Sequence, residues 1–164
     1  MILVTLGTQD KTFVRLLEKI NQLIDRGLIK DKVVVQAGFT KYSSDNMEIF
    51  DLIPQDEFNN LMSKADLVIT HGGVGNIISA LEKNKKVIAV PRLAKYGEHI
   101  NDHQIQNNEA FAINNYVLMA DLELENLGEC FQKISEGTDR LVPWVNKDPL
   151  AIVNMIDKFI QENW

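Results

Sequence analysis

The sequence is poor in cysteine and has no long apolar run. Cys130 is the only cysteine among 164 residues, so neither an internal disulfide nor a cysteine-based structural zinc site can form. No stretch approaches the roughly 18 consecutive apolar residues of a membrane-spanning helix. The N-terminus lacks the basic region and cleavage site of a signal peptide, which favours a first strand there. These features predict a protein of a reducing compartment, the cytoplasm.

Positive charge is scarce as well. Lys and Arg number 17 against 23 Asp and Glu, which gives a formal net charge of −6. Proteins that bind nucleic acid usually carry a basic face, so no nucleic-acid partner is expected. A content of 45% hydrophobic and 24% charged residues is typical of soluble globular proteins, not of disordered or collagen-like chains. The length predicts a single domain over residues 1–164.

Short apolar segments alternate with segments of helical periodicity along the whole chain. This alternation predicts an α/β fold: one Rossmann-like domain with a parallel sheet of about six strands and helices on both faces. A helix is expected over Asn76–Lys83 and another from His99 to about Asn114. Strands are expected at Ile2–Gly7, Val33–Val35, Ile49–Ile53, Asp66–Thr70, "KVIAVP" and "YVLMA".

The segment "HGGVGN" follows the expected strand Asp66–Thr70. Ligands of open parallel sheets bind beyond the carboxyl ends of the strands. Gly72, Gly73 and Gly75 leave the backbone accessible to a phosphate, and the N-terminus of the helix near Asn76 favours negative charge there. A purely structural glycine turn is the alternative. His71 also has two interpretations, since it either donates to a phosphoryl oxygen or is a satisfied surface residue at the end of a strand.

Two common nucleotide sites do not fit this segment. Its spacing matches neither the G-x-G-x-x-G fingerprint of dinucleotide-binding folds nor the P-loop with its Lys and Ser or Thr. Dinucleotide redox chemistry and ATP hydrolysis are therefore disfavoured. The chain also has no Asp-x-Asp triplet to hold a metal–nucleotide complex.

The segment "GEHINDHQ" raises the possibility of a metal site. His99 and His103 are four residues apart and would share a helix face, with Glu98 adjacent. The zincin pattern, however, needs Glu directly after the first His, and Ile100 stands there. A metal-dependent hydrolase built on the two histidines is the weakest of the functional hypotheses.

The same segment has two non-metal interpretations. Asn101 and Asp102 are ordinary residues for the solvated start of a helix. Alternatively, Asp102, His103 and Gln104 form a polar cluster that recognises a hydroxylated ligand, because these side chains supply donors and acceptors in fixed directions. The residues alone leave both interpretations open.

Three segments together carry a family resemblance: "ILVTLGT" at the N-terminus, "ADLVITHGGVGNIISAL" in the middle, and "VIAVPR" followed by "GEHINDHQ". In this order the chain resembles the C-terminal, nucleotide-sugar-binding half of GT-B glycosyltransferases of family 28. More narrowly, it resembles the small stand-alone subunits of split bacterial exopolysaccharide and capsule enzymes, the PssE and EpsF type. It is also similar to the small subunit of the two-part transferase that adds the second GlcNAc to dolichol-diphosphate-GlcNAc.

The resemblance implies roles at the matching positions. The loop would cradle the diphosphate of a UDP-sugar, and the residues concerned are His71, Gly72, Gly73, Val74, Gly75 and Asn76. Asp102, His103 and Gln104 would reach the sugar hydroxyls, while Gly7 and Thr8 would line the cleft floor. No cofactor and no metal is implied beyond the UDP-sugar donor, because backbone amides stabilise the departing UDP in such enzymes.

One position departs from the family pattern. Many relatives have a Glu that contacts the ribose hydroxyls on the helix after the glycines, and Ser79 stands at that position here. Glu82, about one helical turn further on, is a possible substitute. We therefore expect the ribose contact to be weaker or shifted, with Ser79 still part of the UDP-sugar site.

The resemblance implies an inverting hexosyltransferase that acts on a polyprenyl-diphosphate-linked saccharide in exopolysaccharide or capsule synthesis. Galactose is the first expectation for the sugar, followed by glucose and GlcNAc. Glu98 and His99 are the local candidates for the general base. A membrane-associated, acceptor-binding partner of the PssD type would recruit this cytoplasmic chain to the inner face of the membrane. The alternative is a non-catalytic nucleotide-binding or regulatory module of the same fold.

Overall fold

The computed structural model describes residues 1–145, 148 and 150–164. These residues form one sheet of six parallel strands in the order β3-β2-β1-β4-β5-β6. The strands are β1 (Ile2–Thr5), β2 (Val33–Gln36), β3 (Glu48–Phe50), β4 (Leu67–His71), β5 (Lys86–Val90) and β6 (Leu118–Met119). The prediction of a Rossmann-like α/β domain with a parallel sheet of about six strands is confirmed.

Helices cover both faces of the sheet, as predicted. They are α1 (Val14–Asp25), α2 (Gln55–Lys64), α3 (Val74–Glu82), α4 (His103–Ile113), α5 (Leu127–Ser135) and α6 (Ala151–Asn163). A short 3₁₀ helix occupies Ala94–Tyr96. Helices α1 and α5 pack on one face, and the other helices pack on the opposite face. Within the part of the chain that the structure describes, no helix has both the length and the apolar character that crossing a bilayer requires.

Strand side chains alternate between two apolar clusters, one on each face. In β1, Ile2 and Val4 join the cluster under α1 and α5, whereas Leu3 joins the cluster on the other face. Because both faces are covered, the four central strands β1, β2, β4 and β5 are mostly apolar and buried, whereas the edge strand β3 is partly exposed. This burial explains the continuous apolar runs that predicted the strands.

The order of the strands reverses beside β1. The chain proceeds from β1 to β2 on one side, then crosses to β4 on the other side of β1. The carboxyl ends of β1 and β4 therefore flank a crevice, which is the usual ligand position in open parallel sheets. Gly7 and Thr8 follow β1, and Gly72 and Gly73 follow β4.

The expected helix from His99 begins only at His103. Polar side chains hold the residues before it in a turn: the Asn101 N–H donates to His99 Nδ1 at 3.3 Å, and the His103 N–H donates to Asn101 Oδ1 at 3.1 Å. Such local bonds compete with helical hydrogen bonds. The expectation that His99 and His103 share a helix face is therefore wrong.

Candidate functional site

The glycine loop presents free N–H groups at the start of α3, which begins at Val74, two residues earlier than predicted. The first N–H groups of a helix have no partner within it. Among the described residues, no hydrogen bond satisfies the N–H groups of Val74, Gly75 and Asn76. The N–H groups of Gly72 and Gly73 are already used, because they donate to Gln104 Oε1 and His71 Nδ1, each at 3.1 Å. The amides available to an anion are therefore those of Val74–Asn76.

The glycines of the loop serve two different purposes. A Cβ at Gly72 would lie 2.4 Å from Gln104 Cβ, and one at Gly73 would lie 2.3 Å from His71 Cε1. Both positions must be glycine for the neighbouring side chains to pack behind the loop. A Cβ at Gly75, in contrast, would meet nothing within 4 Å. The structural interpretation thus applies to the first two glycines, and only Gly75 faces open space.

His71 is a buried, neutral histidine between the loop after β1, which contains Gly7, and the loop after β4, which contains Gly73. Burial, followed by the nearby charge of Arg92, lowers its pKa to about 4. Because Nδ1 accepts the Gly73 N–H, the proton of the neutral ring is on Nε2. A Cβ at Gly7 would lie 2.5 Å from this Nε2, and Gly7 also has a φ of 76°, so only glycine fits at that position.

A hydrogen-bond network forms the floor between β1, β2 and α3. The Thr5 hydroxyl donates to Gln36 Oε1 at 2.8 Å and accepts from Asn76 Nδ2 at 3.1 Å. Gln36 Nε2 donates to the Gly7 carbonyl at 3.0 Å. The network fixes the side chains of Gln36 and Asn76 and holds the start of α3 beside the end of β1.

A cleft of about 200 Å³ opens over this floor. Its lining residues are Gly7, Thr8, Gln36, Leu52, Ile53, Gln55, Phe58, Gly75, Asn76 and Ser79. The structure thus brings together five predicted site residues, two from the loop after β1 and three from α3. Sequence reasoning missed the wall formed by Leu52, Ile53 and Phe58. The available signal was the apolar pair Leu52 and Ile53, which follows β3 after Asp51 at the ligand-binding edge of the sheet.

The polar residues at the start of α4 lie on the other side of the glycine loop. Gln104 is buried, and its Oε1 accepts the N–H groups of Gly72 and Arg92 at 3.1 and 3.0 Å. Asp102 is exposed and accepts the Ala94 N–H at 2.9 Å. His103 is exposed, with Nδ1 3.2 Å from Gln106 Oε1. Of the three predicted sugar ligands, only Gln104 contacts the loop, and it does so from behind.

The two candidate bases differ in their surroundings. Glu98 is buried, and its carboxylate accepts from Arg15 Nε at 2.6 Å and from the Leu93 N–H at 2.9 Å. These bonds occupy both oxygens, so its surroundings do not support the predicted role as a base. His99 is half-buried, and its Nε2 lies 3.2 Å from Gln9 Nε2 in the loop after β1. Its predicted role as a base is compatible with this position at the rim of the crevice.

Arg92 ends the segment "VIAVPR", and no local pattern in the sequence predicts a role for it. Its side chain is 1% exposed and donates to the carbonyl oxygens of Leu6, Lys11 and Glu98. Its guanidinium carbon also lies 5.2 Å from the centre of the Phe13 ring. Arg92 therefore ties the loop after β1 to the loop after β5.

Behind Gly72 lies a second residue that sequence reasoning missed. Asn108 is fully buried, and neither its Oδ1 nor its Nδ2 has a hydrogen-bond partner among the described residues. Its Oδ1 would lie 2.9 Å from a Cβ at Gly72. The loop is thus backed by an amide with unused hydrogen-bonding capacity.

Comparison with protein families decides what kind of domain this is. The model of the "Glycosyltransferase family 28 C-terminal domain" matches residues 1–144. The chain belongs to this family. The resemblance noted from the three sequence segments is therefore confirmed.

The family 28 domain is also similar to a curated protein and to two solved structures. Over 96 residues it is 30% identical to "UDP-N-acetylglucosamine transferase subunit ALG13" of Cryptococcus neoformans var. neoformans serotype D (strain JEC21 / ATCC MYA-565), covering 57% of this chain. The match spans 46% of that relative, about half its length. An ALG13 solution structure superposes with a TM-score of 0.59 at 17% identity, covering 94% of each chain. Acinetobacter baumannii MurG gives 0.55 at 14% identity, covering 96% of this chain and 49% of MurG. Both structures share the fold.

The hypothesis of a metal-dependent hydrolase gains nothing from the family 28 fold. Within the described ranges, no group of three or more His, Cys, Asp or Glu side chains is placed to hold a metal ion. His99 also lies in the turn before α4, outside the helix that begins at His103.

Proposed function

We propose that this family 28 domain is the donor-binding catalytic subunit of a glycosyltransferase that uses a UDP-sugar. The observation that carries the proposal is the row of free N–H groups at Val74–Asn76, which opens onto the cleft beside Gly7 and Thr8. A helix N-terminus with unpaired amides and its dipole favours the negative charge of a diphosphate. The relative from Cryptococcus is named a UDP-N-acetylglucosamine transferase subunit, and this name supports the proposal of a subunit that uses a UDP-sugar.

The nucleoside would extend from this diphosphate along the cleft. Ser79 lies four residues after Gly75 and so on the same face of α3, one turn further along. The apolar wall of Leu52, Ile53 and Phe58 lies in the same cleft. The cleft thus combines free amides, a hydroxyl and an apolar wall, which are the kinds of group that a diphosphate, a ribose and a base would contact.

The transfer would proceed with inversion. An acceptor hydroxyl attacks the anomeric carbon from the side opposite the diphosphate, a new C–O bond forms, and the bond from this carbon to the phosphate oxygen breaks. The N-terminus of α3 stabilises the negative charge that develops on the departing UDP. The hydroxyl proton passes to a general base, for which His99 is our candidate. The predicted sugar contacts, Asp102 and His103, are exposed and have side-chain atoms available for a ligand.

The finer identity of the reaction follows the resemblance. We propose a hexose donor, with UDP-galactose first, and a polyprenyl-diphosphate-linked saccharide as acceptor in exopolysaccharide or capsule synthesis. A Rossmann-like domain supplies one wall of a cleft, so a membrane-associated partner of the PssD type would supply the acceptor side. Ile100, 82% exposed beside His99, gives the rim an apolar group for such a partner.

Calorimetric titration with UDP tests the site. Gly75→Ala adds a methyl group in open space at a position without a left-handed φ, so the variant should fold normally. We expect at least tenfold weaker UDP binding, which corresponds to about 1.4 kcal/mol, because the methyl group lies beside the anion-binding amides. Glu82→Ala, on the same helix but outside the cleft, should bind UDP like the wild type. Equal UDP affinity of Gly75→Ala and wild type would overturn the assigned position.

A second experiment separates catalysis from regulation. Co-expression with a membrane-associated partner candidate, followed by UDP release with a panel of UDP-sugars and a lipid-linked acceptor, should show turnover that the isolated chain lacks. UDP binding without turnover, with every partner and donor, would favour the non-catalytic nucleotide-binding or regulatory module.

A further inference from the structure

We infer that the cleft binds a pyrimidine nucleoside diphosphate without selecting for the ribose 2′-hydroxyl, so that deoxyribose donors such as TDP-sugars fit as well as UDP-sugars. The inference rests on the proposed function, because it assigns the nucleoside to the cleft beside α3. It concerns the class of donor and not the reaction.

The lining of the cleft contains no charged side chain among the described residues. Selection for ribose commonly uses a carboxylate, which accepts hydrogen bonds from the sugar hydroxyls. At the ribose position, one turn beyond Gly75, the cleft offers the hydroxyl of Ser79 instead. Glu82, the substitute considered from the sequence, is exposed and does not line the cleft.

Most polar side chains of the cleft are already occupied. Gln36 is bonded to Thr5 and to the Gly7 carbonyl, and Asn76 Nδ2 donates to Thr5. Gln55 is exposed and donates to Asn59 Oδ1 at 3.2 Å. The polar atoms of the cleft side chains that have no partner among the described residues are the hydroxyls of Ser79, which is half-buried, and Thr8, which is exposed, together with the amide oxygens of Asn76 and Gln55.

These groups give little discrimination between ribose and deoxyribose. A site rejects an analogue that lacks a hydroxyl when a buried polar group is then left unpaired. A Ser hydroxyl can rotate towards another acceptor or towards water, and an exposed Thr remains hydrated. Loss of the 2′-hydroxyl therefore leaves no buried charge unpaired in this cleft.

The base end of the cleft is equally permissive. Leu52, Ile53 and Phe58 form an apolar wall, and Leu52 is 53% exposed. Such a wall accepts the 5-methyl group of thymine without burying it against a polar atom. Uridine and thymidine nucleotides share the chemistry that the cleft recognises.

Calorimetry with UDP, dUDP and TDP tests the inference, because UDP and dUDP differ only in the 2′-hydroxyl. With the wild-type chain we expect the three dissociation constants to agree within about threefold. Ser79→Glu should raise the preference for UDP over dUDP to at least tenfold, since the carboxylate would accept from the ribose hydroxyls. Glu82→Gln, a change of charge on the same helix outside the cleft, should leave the ratio unchanged.

Each outcome decides one point. A wild-type preference for UDP over dUDP of more than tenfold would overturn the inference and leave the proposed function intact. An unchanged ratio in a folded Ser79→Glu variant would overturn the placement of the ribose beside Ser79. If none of the three nucleotides binds, with or without a partner subunit, the proposed function fails and the inference fails with it. The wild-type comparison alone is decisive if Ser79→Glu does not fold.

Discussion

The front and the back of the glycine loop use their polar groups in opposite ways. On the back, Gln104, Arg92 and Glu98 are buried and bonded to backbone groups of the protein itself, and Asn108, the exception, is sealed from solvent. On the front, the N–H groups of Val74–Asn76 and the Ser79 hydroxyl have no bonds within the described residues. The difference teaches that a high density of polar residues does not by itself indicate a ligand site. Polar groups without a hydrogen-bond partner beside an open cleft indicate one.

The largest expected effect on stability comes from replacing Arg92, which lies behind the glycine loop. Arg92→Met should lower the free energy of unfolding by about 3–5 kcal/mol, because it breaks a buried network and leaves Glu98 beside fewer cations. Urea denaturation measures this change. Arg140→Met, at an exposed position, is the control and should show no comparable loss. A loss below about 1 kcal/mol for Arg92→Met would mean that the back is not the scaffold of the loop.

The next largest effect is the dependence of the unfolding free energy on pH, which the buried His71 causes. Its pKa is about 4 in the folded chain and about 6.5 in the unfolded chain, so the unfolded state takes up a proton first as the pH falls. Stability should therefore decrease between pH 6.5 and pH 4, by about 3 kcal/mol in total. His71→Gln lacks this contribution. Unfolding free energies of wild type and variant that run parallel across this range would contradict the account.

A matched pair at the start of α4 compares a bonded with an exposed side chain. Gln104→Ala leaves the buried N–H groups of Gly72 and Arg92 without an acceptor and should cost about 2–3 kcal/mol in denaturation experiments. His103→Ala should leave stability unchanged, because His103 is exposed. If Gln104→Ala keeps its stability but loses donor affinity, Gln104 contacts the sugar as predicted from the sequence, and the comparison of front and back fails.

The smallest effect is expected at the surface near the 3₁₀ helix. Lys95 forms an exposed ion pair with Glu123, and Tyr96 donates to the same carboxylate. Exposed pairs of this kind contribute little to stability. Lys95→Ala should therefore show no resolvable change in denaturation midpoint, at low or high salt. A clear loss of stability would show that surface bonds hold these loops as firmly as the buried ones do.

The sheet and the position of the crevice could be predicted from the sequence. Apolar runs and helical periodicity are local patterns, and the rule that ligands bind at strand carboxyl ends then places "HGGVGN" at the site. The start of α3 was predicted two residues too late, and this shift decides which amides are free. The predicted phosphate-binding residues His71–Asn76 include these three amides, and the structure narrows the free N–H groups to Val74, Gly75 and Asn76.

The roles on the back of the loop depend on contacts between distant parts of the chain. Arg92 reaches carbonyl groups at Leu6 and Lys11, and Gln104 reaches the N–H of Gly72. Such pairings leave no local pattern, so a buried Gln that holds a loop and a Gln that binds a sugar look alike in the sequence. The prediction of a helix from His99 fails for a different, local reason, because the side chains of His99 and Asn101 accept the N–H groups of Asn101 and His103 and hold a turn there.

The central claim is that a pyrimidine nucleoside diphosphate binds at the free amides of α3. Titration of the ¹⁵N-labelled chain with UDP, followed by backbone amide NMR, tests it most directly. The account predicts the largest shifts at Val74, Gly75 and Asn76, with smaller shifts at Gly72 and Gly73, whose N–H groups are already bonded. Shifts centred on residues 102–104, with Val74–Asn76 unaffected, would contradict it.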